Sequence, residues 1–168
     1  LLAGGLFWQA EAGRHPEPGP GSFFLPALWF TIYFYRRKNK KKENAQSILR
    51  FLGITAGNGA PAINKLINTM IEREISFDEV NFEEFFQCDE HGKKIIFQRI
   101  RRDIKTGLNN LAHMCMDYPE NDIILEYANN LYEYKNVHNE ISFLKGERTN
   151  GGQVSLKHFF NGLIQEIN

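Results

Sequence analysis

Four residues have the types needed for a metal site. Cys88-x-x-His91 and His113-x-Cys115 together offer two sulfurs and two imidazoles, the donor set of a tetrahedral zinc. The spacing of the second pair works against it. Two residues apart on a helix is about 200° around the axis, so His113 and Cys115 cannot both face one ion. Cys115 also continues an apolar series, in which a reduced cysteine packs as a small hydrophobe. The reading is therefore no metal and no other cofactor. Catalytic chemistry finds no purchase either, and no catalytic residue is assigned. There is no serine in a nucleophile elbow and no His-Glu-x-x-His. The glycine-bearing loop Gly53 to Ala60 lacks the Gly-Lys-Ser/Thr ending and a preceding strand, so it reads as a connection between helices. Glu83 and Glu84 are adjacent, and adjacent helical residues do not face each other. These features point away from an enzyme.

Charge is more informative. Residues 72–90 hold eight acids and one base, whereas residues 93–105 hold six bases, Lys93, Lys94, Arg99, Arg101, Arg102 and Lys105, and one acid. If the two segments pack antiparallel, the blocks face across a seam and set its register, each exposed pair contributing roughly 0–1 kcal/mol. The alternative is that Lys94, Arg101 and Lys105, nearly one helical stripe with Arg102 beside it, contact nucleic-acid phosphates. Aromatics for base stacking are missing from that stripe, because Phe97 falls on the apolar side. Pairing within the chain is the preferred reading. The chain is formally neutral, yet residues 1–42 carry seven Lys/Arg against two Glu and the remainder thirteen Lys/Arg against eighteen Asp/Glu. A mildly acidic body argues against a general polyanion binder. Two cysteines and no secretory signal fit a reducing intracellular compartment, cytoplasmic or nuclear.

The elements that must carry these residues read as helices throughout. Asn44 to Ile54 has the stripe Ala45, Ile48, Leu49, Leu52. Pro61 opens a second helix with Ile63, Leu66, Ile67, Met70 and Ile71 on one side, stopping near Glu74. Ser76-Phe77-Asp78-Glu79 is a capping box that starts a third, with Val80, Phe82, Phe85 and Phe86 inward. The longest run, about Lys94 to Met116, repeats Phe97, Ile100, Ile104, Leu108, Leu111 and Cys115. Gly107 lies inside it at a cost of about 1 kcal/mol against alanine, which close packing would explain. Ile95-Ile96-Phe97 reads alternatively as a short strand, as in a winged-helix domain. Further helices are expected at about Glu120 to Asn136, with Ile124, Tyr127, Ala128, Leu131 and Tyr134 inward, and after Ser155. Ile141, Phe143 and Leu144 mark a short element, and Lys145 to Gln153 an exposed loop.

The junction Asn68 to Phe82, NTMIEREISFDEVNF, resembles the seam between consecutive pentatricopeptide repeats, where the family shows M-x-E-x-G-I-x-P-D-x-V-T-Y. Glu74 stands at the family's glycine, Phe77 at its proline and Asn81-Phe82 at its Thr-Tyr. The resemblance implies an α-solenoid. Its RNA-reading residues are not carried over, because no second copy sets a repeat register.

Residues 1–35 contain four of the six prolines, Pro16, Pro18, Pro20 and Pro26, and no Asn, Lys or Asp. Gly13 to Ser22 should be extended or disordered. A chain opening on Leu1 reads as a fragment of a longer product, or as a leader joined by an alternative exon or start. Phe23 to Tyr35 is apolar and uncharged, and is followed by Arg36-Arg37-Lys38-Asn39-Lys40-Lys41-Lys42. It is shorter than the roughly twenty residues a spanning helix needs. Contact of residues 23–42 with an acidic membrane surface is a candidate, but a flexible leader is preferred.

The expected architecture is a leader over 1–42 and an all-α domain over 43–168, a helical bundle or a short α-solenoid of helix-turn-helix hairpins. The expected function is a non-enzymatic scaffold for an unknown protein partner, part of a larger repeat protein. The alternative is a nucleic-acid-binding module, an RNA-binding helical repeat or a winged-helix regulator, using Lys94, Arg101, Arg102 and Lys105 of the 93–105 face.

Overall fold

The computed structural model describes residues 24–168. Seven α-helices follow one another among them: α1 (Phe24–Phe51), α2 (Ala60–Arg73), α3 (Phe82–Phe86), α4 (Glu90–Asp117), α5 (Asp122–Tyr132), α6 (Tyr134–Leu144) and α7 (Leu156–Glu166). A 3₁₀ turn at Phe77–Glu79 lies between α2 and α3. No strand occurs among the described residues, so Ile95-Ile96-Phe97 is helical and the winged-helix alternative falls. The helical body is Arg36–Asn168; Phe24–Tyr35 belongs to a separate unit. The extended leader expected over Gly13 to Ser22 lies outside the described residues.

The body is built around α4. Its Ile100, Ile104, Leu108 and Leu111 are fully buried, and it packs against α2, α3, α5 and α6. Each such aliphatic side chain contributes about 1.5–3 kcal/mol by leaving water. Pro61 sits in the first turn of α2, where its missing N–H has no partner to lose. Ile63, Leu66, Ile67, Met70 and Ile71 of that helix are buried as its spacing requires. The helix stops at Glu74, which turns left-handed (φ 55°) and donates its N–H to the Met70 carbonyl. On α7, Phe159 and Phe160 are fully buried, and Ser155 caps that helix by accepting from the His158 N–H at 3.3 Å.

Three expectations are corrected. The helix expected from Ser76 is broken. Ser76 does donate its N–H (2.6 Å) and hydroxyl (2.7 Å) to the Glu79 carboxylate, holding that carboxyl below its usual range. Val80 and Asn81 then turn extended, and Asn81 caps the short α3 by accepting from the Glu84 N–H. Second, the Glu120–Asn136 helix is two. Glu133 takes φ 61°, ψ 121° and separates α5 from α6. The break turns Tyr134 out to 49 % exposure and leaves Tyr132 as the buried aromatic. Third, residues 24–42 are helical rather than flexible, because α1 starts at Phe24 and runs without a break into the Ala45–Leu52 stripe. Pro26 falls in its first turn, where proline is tolerated, and the lysines that follow are good helix formers.

Gly107 marks the closest approach in the body. A methyl group there would lie 2.5 Å from the Tyr132 hydroxyl and 2.6 Å from Ile54 Cδ1. The hydroxyl cannot swing aside freely, since it donates to the Ile104 carbonyl at 3.0 Å. Gly107→Ala should therefore destabilise the chain by about 1–3 kcal/mol, the usual cost of overpacking. Urea denaturation checks this, and an unchanged or raised midpoint would refute the close-packing account.

Candidate nucleic-acid interface

The helix α4 has two sides with different fates. Asp89 caps its start by accepting from the Gly92 N–H at 2.8 Å. Before it, α3 ends on Gln87 in the left-handed region (φ 51°), so α3 and α4 form a helix, a three-residue turn and a second, longer helix. Phe82 of α3 meets Phe97 of α4 edge-on, ring centroids 4.9 Å apart. That contact holds Phe97 inward and fixes which arc of α4 faces water. Lys94, Gln98, Arg99, Arg101 and Arg102 are all exposed on that outer arc. From Lys94 to Arg102 the helix rises about 12 Å at 1.5 Å per residue.

The charge seam between acidic and basic blocks is mostly absent. Among the described residues only Lys93 reaches across, to Glu83 at 3.3 Å; its pair with Glu90 at 2.9 Å lies within α4. The Lys93 hydrogen bond holds the Glu90 carboxyl below its usual range, while Glu90 and Glu83 raise the Lys93 ammonium. Glu72 pairs instead with Lys42 at 2.6 Å and gives its backbone carbonyl to Lys38 at 2.7 Å. Among the described residues Lys94, Arg99, Arg101 and Arg102 have no acidic partner within 4 Å.

The two remaining charged members of the 93–105 block, Asp103 and Lys105, are engaged by partners within the chain. Asp103 is 8 % exposed and accepts the Gly59 N–H at 2.7 Å, tying the Gly53–Ala60 loop to α4. Side chains at Gly57 or Gly59 would strike the Asp103 carboxylate or the Arg99 backbone. Lys105 donates to the Gly152 carbonyl at 2.7 Å and to the carboxylate of Glu140, a residue only 1 % exposed. The Gly152 N–H, 2.7 Å away, and Asn109 also donate to Glu140. Of the four expected contact residues, Lys94, Arg101 and Arg102 share the exposed arc, and Lys105, half-buried, is engaged by Glu140 and the Gly152 carbonyl. Beside it a shallow cleft of about 370 Å³ is lined by Arg101, Lys105, Gly152, Gln153 and Val154. Sequence reasoning passed over Gln98 and Arg99 as site residues. Their spacing from Lys94, four and five residues, was the available signal.

The four candidate metal ligands do not meet. Cys88 and His91 lie at the start of α4, and His113 and Cys115 lie near its end. From His91 to His113 the helix rises about 33 Å, which keeps them from one ion. Cys115 is buried, and burial pushes its thiol pKa up.

The body is all-α and presents one helix, α4, with a cationic outer arc. The family described as the YcbB domain matches residues 44–163, and the chain belongs to that family. No curated protein matches the chain, and no solved structure does. The family match overturns the pentatricopeptide resemblance, and the packing agrees. In a solenoid each repeat touches only its neighbours. Here Phe77, in the supposed repeat seam, stacks on Phe160 of α7 with centroids 5.2 Å apart, and α7 also packs on α2 and α5. The arrangement is a bundle.

Lys105→Ala should lower stability by about 1–3 kcal/mol, because Glu140 and the Gly152 carbonyl both lose a donor in a dry place. Arg102→Ala should stay within about 0.5 kcal/mol. Equal urea midpoints for the two variants would show that Lys105 is not structural.

Proposed function

We propose that this YcbB domain is a non-enzymatic, intracellular module that binds duplex DNA, laying the exposed arc of α4 in the major groove. The observation that carries the reading is the run Lys94, Arg99, Arg101 and Arg102, exposed on one helix and without an acidic partner among the described residues. Had these cations been spent on the acidic block, a protein scaffold would have been the better account.

The chemistry of the arc selects among nucleic acids. The B-form major groove is about 12 Å wide and admits an α-helix, whereas the A-form major groove of RNA is too narrow and deep for one. Single strands need aromatic platforms, and the arc offers Gln98 and four cations but no aromatic ring. Gln98, between Lys94 and Arg102, has the donor and acceptor to pair with an adenine edge, and arginine can fork onto guanine. The three-residue turn between α3 and α4 is of the length found in helix-turn-helix units, where the second helix enters the groove. Lys93 offsets Glu83 and Glu90 at the start of α4, so the contacting stretch begins at Lys94.

Fluorescence anisotropy with the full chain and mixed-sequence duplex DNA tests this at low and near-physiological salt. Binding should weaken with salt, the logarithmic slope being about −0.9 per phosphate contact. Arg102→Ala should reduce that slope by about 1, and Lys94→Glu with Arg101→Glu should remove binding. Unaltered affinity in the double variant, or equal affinity for duplex RNA, would refute the groove reading. No binding at low salt would return the protein-scaffold account.

A further inference from the structure

The first half of α1 is apolar on every side. From Leu25 to Tyr35 the large side chains are all at least 43 % exposed, Trp29 at 63 % and Phe30 at 55 % among them. At 100° per residue, Leu25 and Ile32 point one way and Phe30 and Phe34 nearly the opposite way, with Leu28 and Tyr33 between. A helix docking in a protein groove needs one apolar stripe and a wet back. A helix apolar all round belongs inside a core or in a bilayer. The sequence continues directly into Arg36, Arg37 and Lys40, exposed cations with no acidic partner among the described residues. That order, apolar aromatic residues and then cations, complements a bilayer with anionic headgroups.

We propose that Leu25–Tyr35 embeds in an anionic lipid surface, with Tyr33 and Tyr35 at headgroup depth and Arg36 and Arg37 against the phosphates. No helix among the described residues is long and apolar enough to cross a membrane. Phe24 to Tyr35 rises about 16.5 Å, close to one leaflet of a hydrocarbon core about 30 Å thick. Tyrosine and tryptophan favour the boundary, and the stacked pair Trp29–Tyr33, with centroids 5.6 Å apart, reaches from that boundary inward. The inference does not rest on duplex binding, because α4 takes no part in it.

The test is flotation of the full chain with phosphatidylcholine vesicles, with and without phosphatidylglycerol. A Trp8→Phe background makes Trp29 the only indole. The chain should float with the anionic vesicles, and Trp29 emission should move to the blue and be quenched by spin-labelled acyl chains. Trp29→Glu with Phe30→Glu should cut flotation at least tenfold, as should Arg36→Glu with Arg37→Glu. Both pairs are exposed, so circular dichroism should stay unchanged. The proposal fails if the chain stays at the bottom with anionic vesicles or floats equally on neutral ones. It also fails if sedimentation shows the apolar segment consumed by self-association, with no lipid-dependent change in Trp29.

Discussion

A carboxylate with almost no contact with water must be satisfied by its neighbours, and Glu140 dictates where those neighbours go. Its donors are Lys105 and Asn109 on α4 and the Gly152 N–H at the end of the long loop. One side chain of α6 thus holds two other pieces of chain, α4 and the loop. Removing a single partner from such a site leaves an uncompensated charge and costs far more than an exposed pair contributes. The fit leaves no spare room: a methyl group at Gly151 would meet the Glu140 carboxylate, and one at Gly152 the Asn136 carbonyl. The two glycines are therefore small because the backbone passes close to the buried Glu140 carboxylate at one and to the Asn136 carbonyl at the other. Through this contact the loop is set beside Arg101 and completes the cleft with Gln153.

The same logic divides α4. Its inner side carries the aliphatic series, and two charged residues of the stretch, Asp103 and Lys105, are each engaged by a partner within the chain. Asp103 is the one acid in the basic stretch. Its carboxylate is turned onto the Gly59 N–H and pairs with none of the outer cations within 4 Å.

Much of the fold was legible because it follows from spacing. The stripes of α2 and of α7, the Ser76–Glu79 cap and the close packing at Gly107 all stand where side-chain period and local chemistry put them. The break at Glu133 was not legible. Left-handed backbone is usually announced by glycine or asparagine, and here a glutamate adopts it, with Asn136 donating to the Tyr132 carbonyl at 3.0 Å across the break. The length of α1 was missed for another reason: a change in composition at residue 35 looks like a boundary, yet neither side contains a residue that stops a helix. The candidate site was half legible. Periodicity found the arc, but which cations stay free depends on Glu140 and Phe82, far away in sequence or hidden by a helix break.

The proposed duplex contact would account for the energetics of the outer arc. Arg99 and Arg102 are three residues apart, and Arg101 and Lys105 four, so like charges meet on adjoining turns. Such pairs cost an isolated helix about 0.2–0.5 kcal/mol each. Lys105 is partly offset by Glu140, whereas Arg99 and Arg102 have no such acid among the described residues. An acid at Gln98 or Thr106 would have turned repulsion into attraction at no cost to the core, since both positions are exposed. Folding alone gives no reason to leave those positions uncharged. The proposed phosphate contact would, because an acid between the cations would meet the negative charge of the phosphates and weaken every contact beside it.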